Sequence, residues 1–264
     1  MNSVVDWRRP SVWAVPAAAL AIAAVVLVMG GNRSLFLFFN AWSRATGPAP
    51  WPYVTIVGDT AVALALFLPI AIRRPRVAGA LAVGAIIATL FVHGLKPLFD
   101  LPRPPGVLPP GEFTVIGPAY RAHTFPSGHT TTIFLAAGLV WLHIDSWAAR
   151  AFVLPMAVIV GISRMVVGVH WPLDVATGAA GGWLSAALGT WLAERFPPEA
   201  TRVLHALLCL IGLGCAVALL AGLKTGYSQA VQLQYAIGTW ACLGVLTHVF
   251  GRFRAAPDPS RMSR

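Results

Sequence analysis

"VAGALAVGAIIATLFVHGLKPL", residues 77–98, carries ionisable groups only at His93 and Lys96, both close to its C-terminal end. A helix needs about 20 apolar residues to cross the hydrocarbon core of a bilayer, and this stretch supplies them. Arg73, Arg74 and Arg76 stand just before it, as cations do at a membrane edge. Reading outward in both directions gives similar segments at 11–30, 52–72, 127–144, 149–166, 171–193, 203–222 and 230–250. The expected fold is therefore all-α: a polytopic transmembrane helix bundle of about eight spans, forming a single domain over 1–264.

Composition agrees. The 264 residues are 57% hydrophobic and only 11% charged, with a mean hydropathy of +0.73. A soluble domain would carry about 25% charged residues. The formal net charge of +10 is then a matter of membrane orientation, because no basic run with interleaved aromatics suggests a nucleic-acid surface. Cys209, Cys215 and Cys242 all fall in apolar segments without metal-ligand spacing, and read as small buried residues. Arg8 and Arg9 before an apolar run resemble the start of a signal peptide. The run from Val12 to Met29 is longer than the usual ~7–15-residue core of such a peptide, so it reads as a retained first span.

Eight spans put both termini on one side. Twelve of the nineteen Lys and Arg residues would then face the cytoplasm, at positions 8, 9, 73, 74, 76, 150, 195, 202, 252, 254, 261 and 264. The other side keeps Arg33, Arg44, Lys96, Arg103, Arg121, Arg164 and Lys224. Two segments on that side stand out. Residues 32–48, containing "SLFLFFNAWS", are too short to span; they read as an interfacial helix with Trp42 at headgroup depth or as a plain connecting loop. Residues 99–126 form a long, proline-rich loop of the kind that often carries function. The tail after Phe253 is polar and expected to lack structure.

The ionisable residues near the outer ends of the spans converge on one face. Lys96 closes the third span, and Arg103 follows seven residues later. Ser127, Gly128 and His129 open the fourth, Arg164 closes the fifth, and His170 and Asp174 open the sixth. Three cations at one depth suit an anion: Arg offers a planar fork and Lys a point charge, which together can hold a phosphoryl group. Ser127 suits the N-cap of the fourth span after Pro126, and the free amides of that helix start favour anions. Gly128 allows close backbone approach. Pro172 suits the first turn of a helix, so i, i+4 spacing brings Asp174 to His170. A carboxylate accepting from one imidazole nitrogen leaves the other basic. Taken alone, Ser127 reads as a plain cap and His129 as a histidine at the bilayer edge. Asp100 and Asp59 are candidates to pair with one of the cations. His93, Tyr120, Arg121 and His123 are possible neighbours of the site. Gly178, Gly182 and Ala186 form a small-residue face that reads as helix packing.

Three blocks in order, "KPLFDLPRP" (96–104), "PSGH" (126–129) and "SRMVVGVHWPLD" (163–174), resemble the three-part signature of the type 2 phosphatidic acid phosphatase superfamily. Its members include membrane lipid phosphatases, acid phosphatases and vanadium haloperoxidases; spanning segments disfavour the last. The resemblance implies a six-span catalytic core at about 52–193, with 11–30, 203–222 and 230–250 as extra spans. It implies His170 as nucleophile through a phosphohistidine, Asp174 orienting it, and His129 as general acid. It also implies Lys96, Arg103, Ser127, the Gly128 amide and Arg164 as phosphate ligands, with no metal and no cofactor. The expected function is hydrolysis of a lipid phosphomonoester or diphosphate in a bacterial cytoplasmic (inner) membrane. Both termini would be cytoplasmic and the site would face the periplasm or exterior. A lipid phosphotransferase with the same intermediate is the alternative. So is a non-enzymatic transporter, which would spread polar residues over several depths. The partners implied are the lipid phosphate and the bilayer, with no nucleic acid; the sequence specifies no oligomeric state.

Overall fold

The computed structural model describes residues 4–196 and 198–254, and all regular structure among them is helical. In chain order the elements are α1 (Pro10–Val28), α2 (Asn32–Asn40), α3 (Trp42–Thr46), α4 (Pro50–Ile56), α5 (Thr60–Ala71), α6 (Pro75–Phe99) and α7 (Pro104–Val107). They continue with α8 (Gly128–His143), α9 (Trp147–Val166), α10 (Pro172–Ala193), α11 (Pro198–Leu220) and α12 (Val231–Arg254); a single 3₁₀ turn, Ser228–Ala230, precedes α12. The polar tail lies, from residue 255 on, outside the described residues.

Each of the eight expected apolar segments contains a helix, but not each is an independent span. Among the described residues, five stretches are long and apolar enough to cross a membrane: Pro10–Val28, Pro75–Val107, Trp147–Val166, Glu199–Leu220 and Ser228–Gly251. The α4–α5 pair qualifies only as one broken span bent by 63°, which brings the number to six at most. The two shortfalls from eight are α8 and α10. α8 has 16 residues, and α10 interrupts its apolar sequence with Asp174, two threonines and four glycines. These are the most enclosed helices of the bundle, with faces buried against other helices. A helix surrounded by protein does not need the hydropathy of one that meets lipid.

Local chemistry sets the ends. Asp59 caps α5, accepting from the Ala61 and Val62 amides at 2.9 and 3.3 Å. It makes no ion pair among the described residues, which removes it as a partner for the cations. Its helix start lies at the α4–α5 break. There Gly58 faces α8: a Cβ at Gly58 would lie 3.0 Å from the His129 Cβ and carbonyl oxygen. Residues 32–48, which read as an interfacial helix or a plain loop, form the helices α2 and α3 over 32–46, with Phe38 and Trp42 exposed. Asn40 anchors them, donating to the carbonyls of Thr114, Met165 and Val166 at 2.8–3.1 Å.

In a bilayer the hydrophobic effect does not draw helices together, so close backbone approach and dispersion contacts carry the packing. α10 is built for this. A Cβ at Gly182 would sit 2.2 Å from the Thr131 carbonyl oxygen of α8, one at Gly178 2.8 Å from the Ser127 carbonyl, and one at Gly189 2.5 Å from the Gly84 amide of α6. The small-residue face of the sixth segment is thus a packing surface. On its other side α1 docks, and buried Trp183 donates from its indole nitrogen to the Val12 carbonyl at 3.0 Å. Residues 52–193 hold the bent α4–α5 pair and four long helices, while α11 and α12 pack on α5. The three cysteines are free and partly buried.

Candidate active site

The long loop, the α8 start and the α9–α10 junction meet at one end of the bundle. α10 begins after its N-cap Trp171, with Pro172 in its first turn, as the sequence suggests. That start puts Asp174 Oδ2 3.1 Å from His170 Nδ1 and lets the same oxygen accept from the Trp171 amide at 2.8 Å. Asp174 therefore does two things: it closes the helix end and aims the imidazole. A third donor is Thr124, whose hydroxyl donates to Asp174 Oδ2 and lies 3.3 Å from His170 Nδ1. These contacts assign the tautomer: Nδ1 carries the proton and donates to Asp174, so Nε2 presents its lone pair.

Arg103 Nη1 lies 3.2 Å from that Nε2. The rest of the guanidinium is held by backbone: Nε donates to the Ala122 carbonyl at 2.9 Å, Nη1 also to Val169 at 3.2 Å, and Nη2 to His123 at 3.4 Å. Its face covers the Tyr120 ring, 5.3 Å from the centroid. Burial, then the Arg103 guanidinium, hold the His170 pKa well below the usual 6.5. His170 is thus a neutral imidazole whose Nε2 lone pair faces the fixed positive charge of Arg103.

Arg164, on the last turn of α9, is buried; its Nη1 donates to Thr55 Oγ1 and, at 3.0 Å, to Tyr227 Oη. Ser127 caps α8 as expected, but its Oγ is engaged, accepting from the Thr130 amide at 3.4 Å and the Thr130 hydroxyl at 3.0 Å. The Ser127 amide donates to the Asp174 carbonyl at 3.1 Å, which ties the α8 start to α10. Gly128 opens α8 against Val92, one turn before Lys96 on α6; the added Cβ would be 3.7 Å from that side chain. Lys96 makes no hydrogen bond or ion pair among the described residues, and its charge interacts with those of Arg103, Arg164 and Asp174.

Two buried polar atoms of this cluster have no partner among the described residues: His129 Nε2 and Arg164 Nε. Leaving a buried donor or acceptor unpaired costs about 1–3 kcal/mol, so such atoms mark a place where a ligand belongs. The structure therefore gathers Lys96, Arg103, Ser127, Gly128, His129, Arg164, His170 and Asp174 at one end. The possible neighbours divide. Tyr120 touches Arg103 through its ring, and the Arg121 carbonyl accepts from the Arg103 amide while its side chain is exposed. His93 is exposed and lines an apolar cleft that reaches Gly128. Asp100 pairs with His123 at 3.1 Å and not with a cation of the cluster. Thr124, Thr55 and Tyr227 escape the sequence reading, because a lone hydroxyl has no spacing that marks it.

An all-helical membrane protein with this cationic cluster beside a histidine–aspartate pair is the class that fold and site define. Comparison with known proteins makes it specific. Residues 77–198 match the family model described as the PAP2 superfamily. The lipid A 4'-phosphatase of Helicobacter pylori is 30% identical over 151 residues, covering 54% of this chain and 71% of that protein. The lipid A 1-phosphatase of Porphyromonas gingivalis is 42% identical over 76 residues, a match that covers only 28% of this chain and 17% of that protein. The undecaprenyl-diphosphatase of Sulfolobus acidocaldarius is 35% identical over 86 residues, 30% of this chain and 38% of the relative. The crystal structure of Aquifex aeolicus LpxE superimposes with a TM-score of 0.53 at 26% identity, covering 60% of this chain and 93% of that one. The chain belongs to the PAP2 superfamily.

Proposed function

We propose that the protein is a multi-pass membrane enzyme that hydrolyses the phosphate or diphosphate of a membrane lipid. The observation that carries this is the pair of unpartnered buried nitrogens, His129 Nε2 and Arg164 Nε, in one cluster with a neutral His170 among fixed cations. His170 Nε2 attacks phosphorus, and a phosphoryl oxygen takes over its contact with Arg103. The bond from phosphorus to the lipid oxygen breaks as His129, protonated when the anionic headgroup is bound, gives that oxygen a proton. Asp174 holds the imidazole as positive charge grows on it. Water then attacks the phosphohistidine, with His129 taking its proton, and phosphate leaves. Lys96, Arg103, Arg164 and the α8 amides from Gly128 onward neutralise the charge spread over the phosphoryl oxygens, which is where catalysis of such a transfer must come from.

A lipid substrate is supported by what surrounds the site. One apolar cavity of about 510 Å³, lined by Ala23, Leu27, Phe99, Leu101, Phe125 and Trp171, reaches Asp174. Acyl or isoprenyl chains can stay in the bilayer while the headgroup enters the cluster. The distribution of Lys and Arg supports cytoplasmic termini and a site on the outer face of a bacterial inner membrane.

The test is a phosphate-release screen of the purified protein against lipid A phosphates, isoprenoid diphosphates, phosphatidate and phosphatidylglycerophosphate, with product analysis in the presence of lipid acceptors. Release from at least one lipid is expected. Transfer to an acceptor instead of water identifies a phosphotransferase, and silence on every lipid removes the proposal. Orthovanadate, which mimics the pentacoordinate phosphoryl group, is expected to inhibit, and EDTA to leave turnover unchanged. Loss of activity on chelation and its return with a divalent ion contradicts the mechanism.

The state of His170 sets the pH profile. The nucleophile works as the neutral base, and its folded pKa is depressed. Protonation therefore removes activity only as pH falls through that lowered value, and the acid limb of kcat/KM is expected below 6.5. A limb assigned to His170 at or above 6.5 contradicts the buried, cation-flanked environment.

A further inference from the structure

The structure assigns to Tyr227, in the connection between α11 and α12, a role as positioning residue for the phosphate cradle; this inference rests on the reading of Arg164 as a phosphate ligand. The family match ends at residue 198, so Tyr227 comes from outside it. Nevertheless its side chain is buried, 3% exposed. Its hydroxyl accepts from Arg164 Nη1 at 3.0 Å, and its ring centroid lies 6.0 Å from the Arg164 Cζ. Thr55, at the end of α4, gives the same nitrogen a second acceptor. Two hydroxyls on Nη1 fix the rotation of the planar guanidinium, and the edge carrying the unpartnered Nε is left for a ligand.

Tyr227 and the glycine before it pack closely against the long loop. A Cβ on Gly117, in the long loop, would lie 2.7 Å from Tyr227 Cε1, and one on Gly226 would lie 2.7 Å from Pro118 Cγ. Both glycines have left-handed backbone, φ +86° and +88°, so no other residue suits either position. The loop that carries Tyr120 and wraps Arg103 thus closes directly on the α11–α12 connection. The last two long helices deliver an acceptor that orients the buried arginine, and in this way they take part in the site.

The test compares Tyr227→Phe, Arg164→Lys and the double variant in the full chain purified in detergent, reading orthovanadate affinity by calorimetry and the thermal midpoint without ligand. The Phe variant keeps the ring against Gly117 and removes only the hydroxyl. Orthovanadate affinity is expected to fall about tenfold in Tyr227→Phe, as for a lost hydrogen bond to a charged group. The ligand-free midpoint is expected to stay close to the parent value. In the Arg164→Lys background the Tyr227→Phe change is expected to add little, because the partner it orients has gone. Unchanged affinity in Tyr227→Phe, with Arg164→Lys impaired, overturns the positioning role alone. So does an equal loss in both backgrounds, or a Phe variant that does not fold, since each makes Tyr227 merely structural. An unmodified protein that fails to bind orthovanadate, or an Arg164→Lys variant that binds it normally, overturns the phosphate cradle and this inference with it.

Discussion

Replacing His170 by alanine is expected to leave a folded protein whose phosphate release is reduced at least about 10⁴-fold, the scale seen when a covalent nucleophile is removed. Folding should survive because the group most exposed to the loss, the buried Asp174 carboxylate, keeps two donors: the Thr124 hydroxyl and the Trp171 amide. Arg103 likewise keeps its three carbonyl partners. Chemistry should not survive. Nε2 is the lone pair that Asp174 orients and Arg103 faces, and among the described residues no second imidazole has a carboxylate partner buried with it. Two measurements decide the matter: turnover on the lipid identified by the screen, and trapping of a labelled phosphoenzyme by rapid acid quench. The parent chain should show label and the variant none. Turnover in the variant within tenfold of the parent would remove His170 as nucleophile.

The second large effect concerns the fold. Gly182→Val is expected to prevent accumulation of folded protein. A single Cβ at this position would sit 2.2 Å from the Thr131 carbonyl oxygen and 3.0 Å from the Leu135 amide, both backbone atoms of α8. Neither atom can rotate away; the helices must separate. Overpacking a close-packed interior costs about 1–3 kcal/mol even when side chains can adjust, and here backbone must move. In a membrane this loss has no hydrophobic compensation. Separation of α10 from α8 would also break the Ser127 amide contact to Asp174, so any folded remainder should be inactive. Gel filtration in detergent and the thermal midpoint check this. A monodisperse Gly182→Val protein with the parent's midpoint would show that α8 and α10 do not meet as described.

The apolar segments were legible because lipid leaves a chain few choices: buried backbone must pair within its own segment, and helices do that. Their status as spans was less legible. α8 is short at 16 residues, and Asp174, the threonines and the glycines lower the hydropathy of α10, so among the described residues five or six stretches qualify where eight were expected. Residues 32–46 had no decisive pattern, and the anchor that holds them as helices, Asn40, reaches carbonyls up to 126 positions away. Asp59 looked like a partner for a cation, yet a carboxylate beside a helix start finds two amides nearer at hand.

For the site, the sequence by itself determined which groups are present and how they are spaced along the chain: Lys96 and Arg103, Ser127 to His129, and Arg164, His170 and Asp174. The four-residue step from His170 to Asp174 is local geometry, so a helix start after Trp171 suffices to predict their contact. Only the tertiary structure decided who holds these groups in place. Thr124 meets Asp174 across 50 residues, Tyr227 meets Arg164 across 63, and Thr55 meets it across 109. A hydroxyl becomes a partner through where the packed helices put it, and packing is a property of the whole bundle that no short stretch of sequence records.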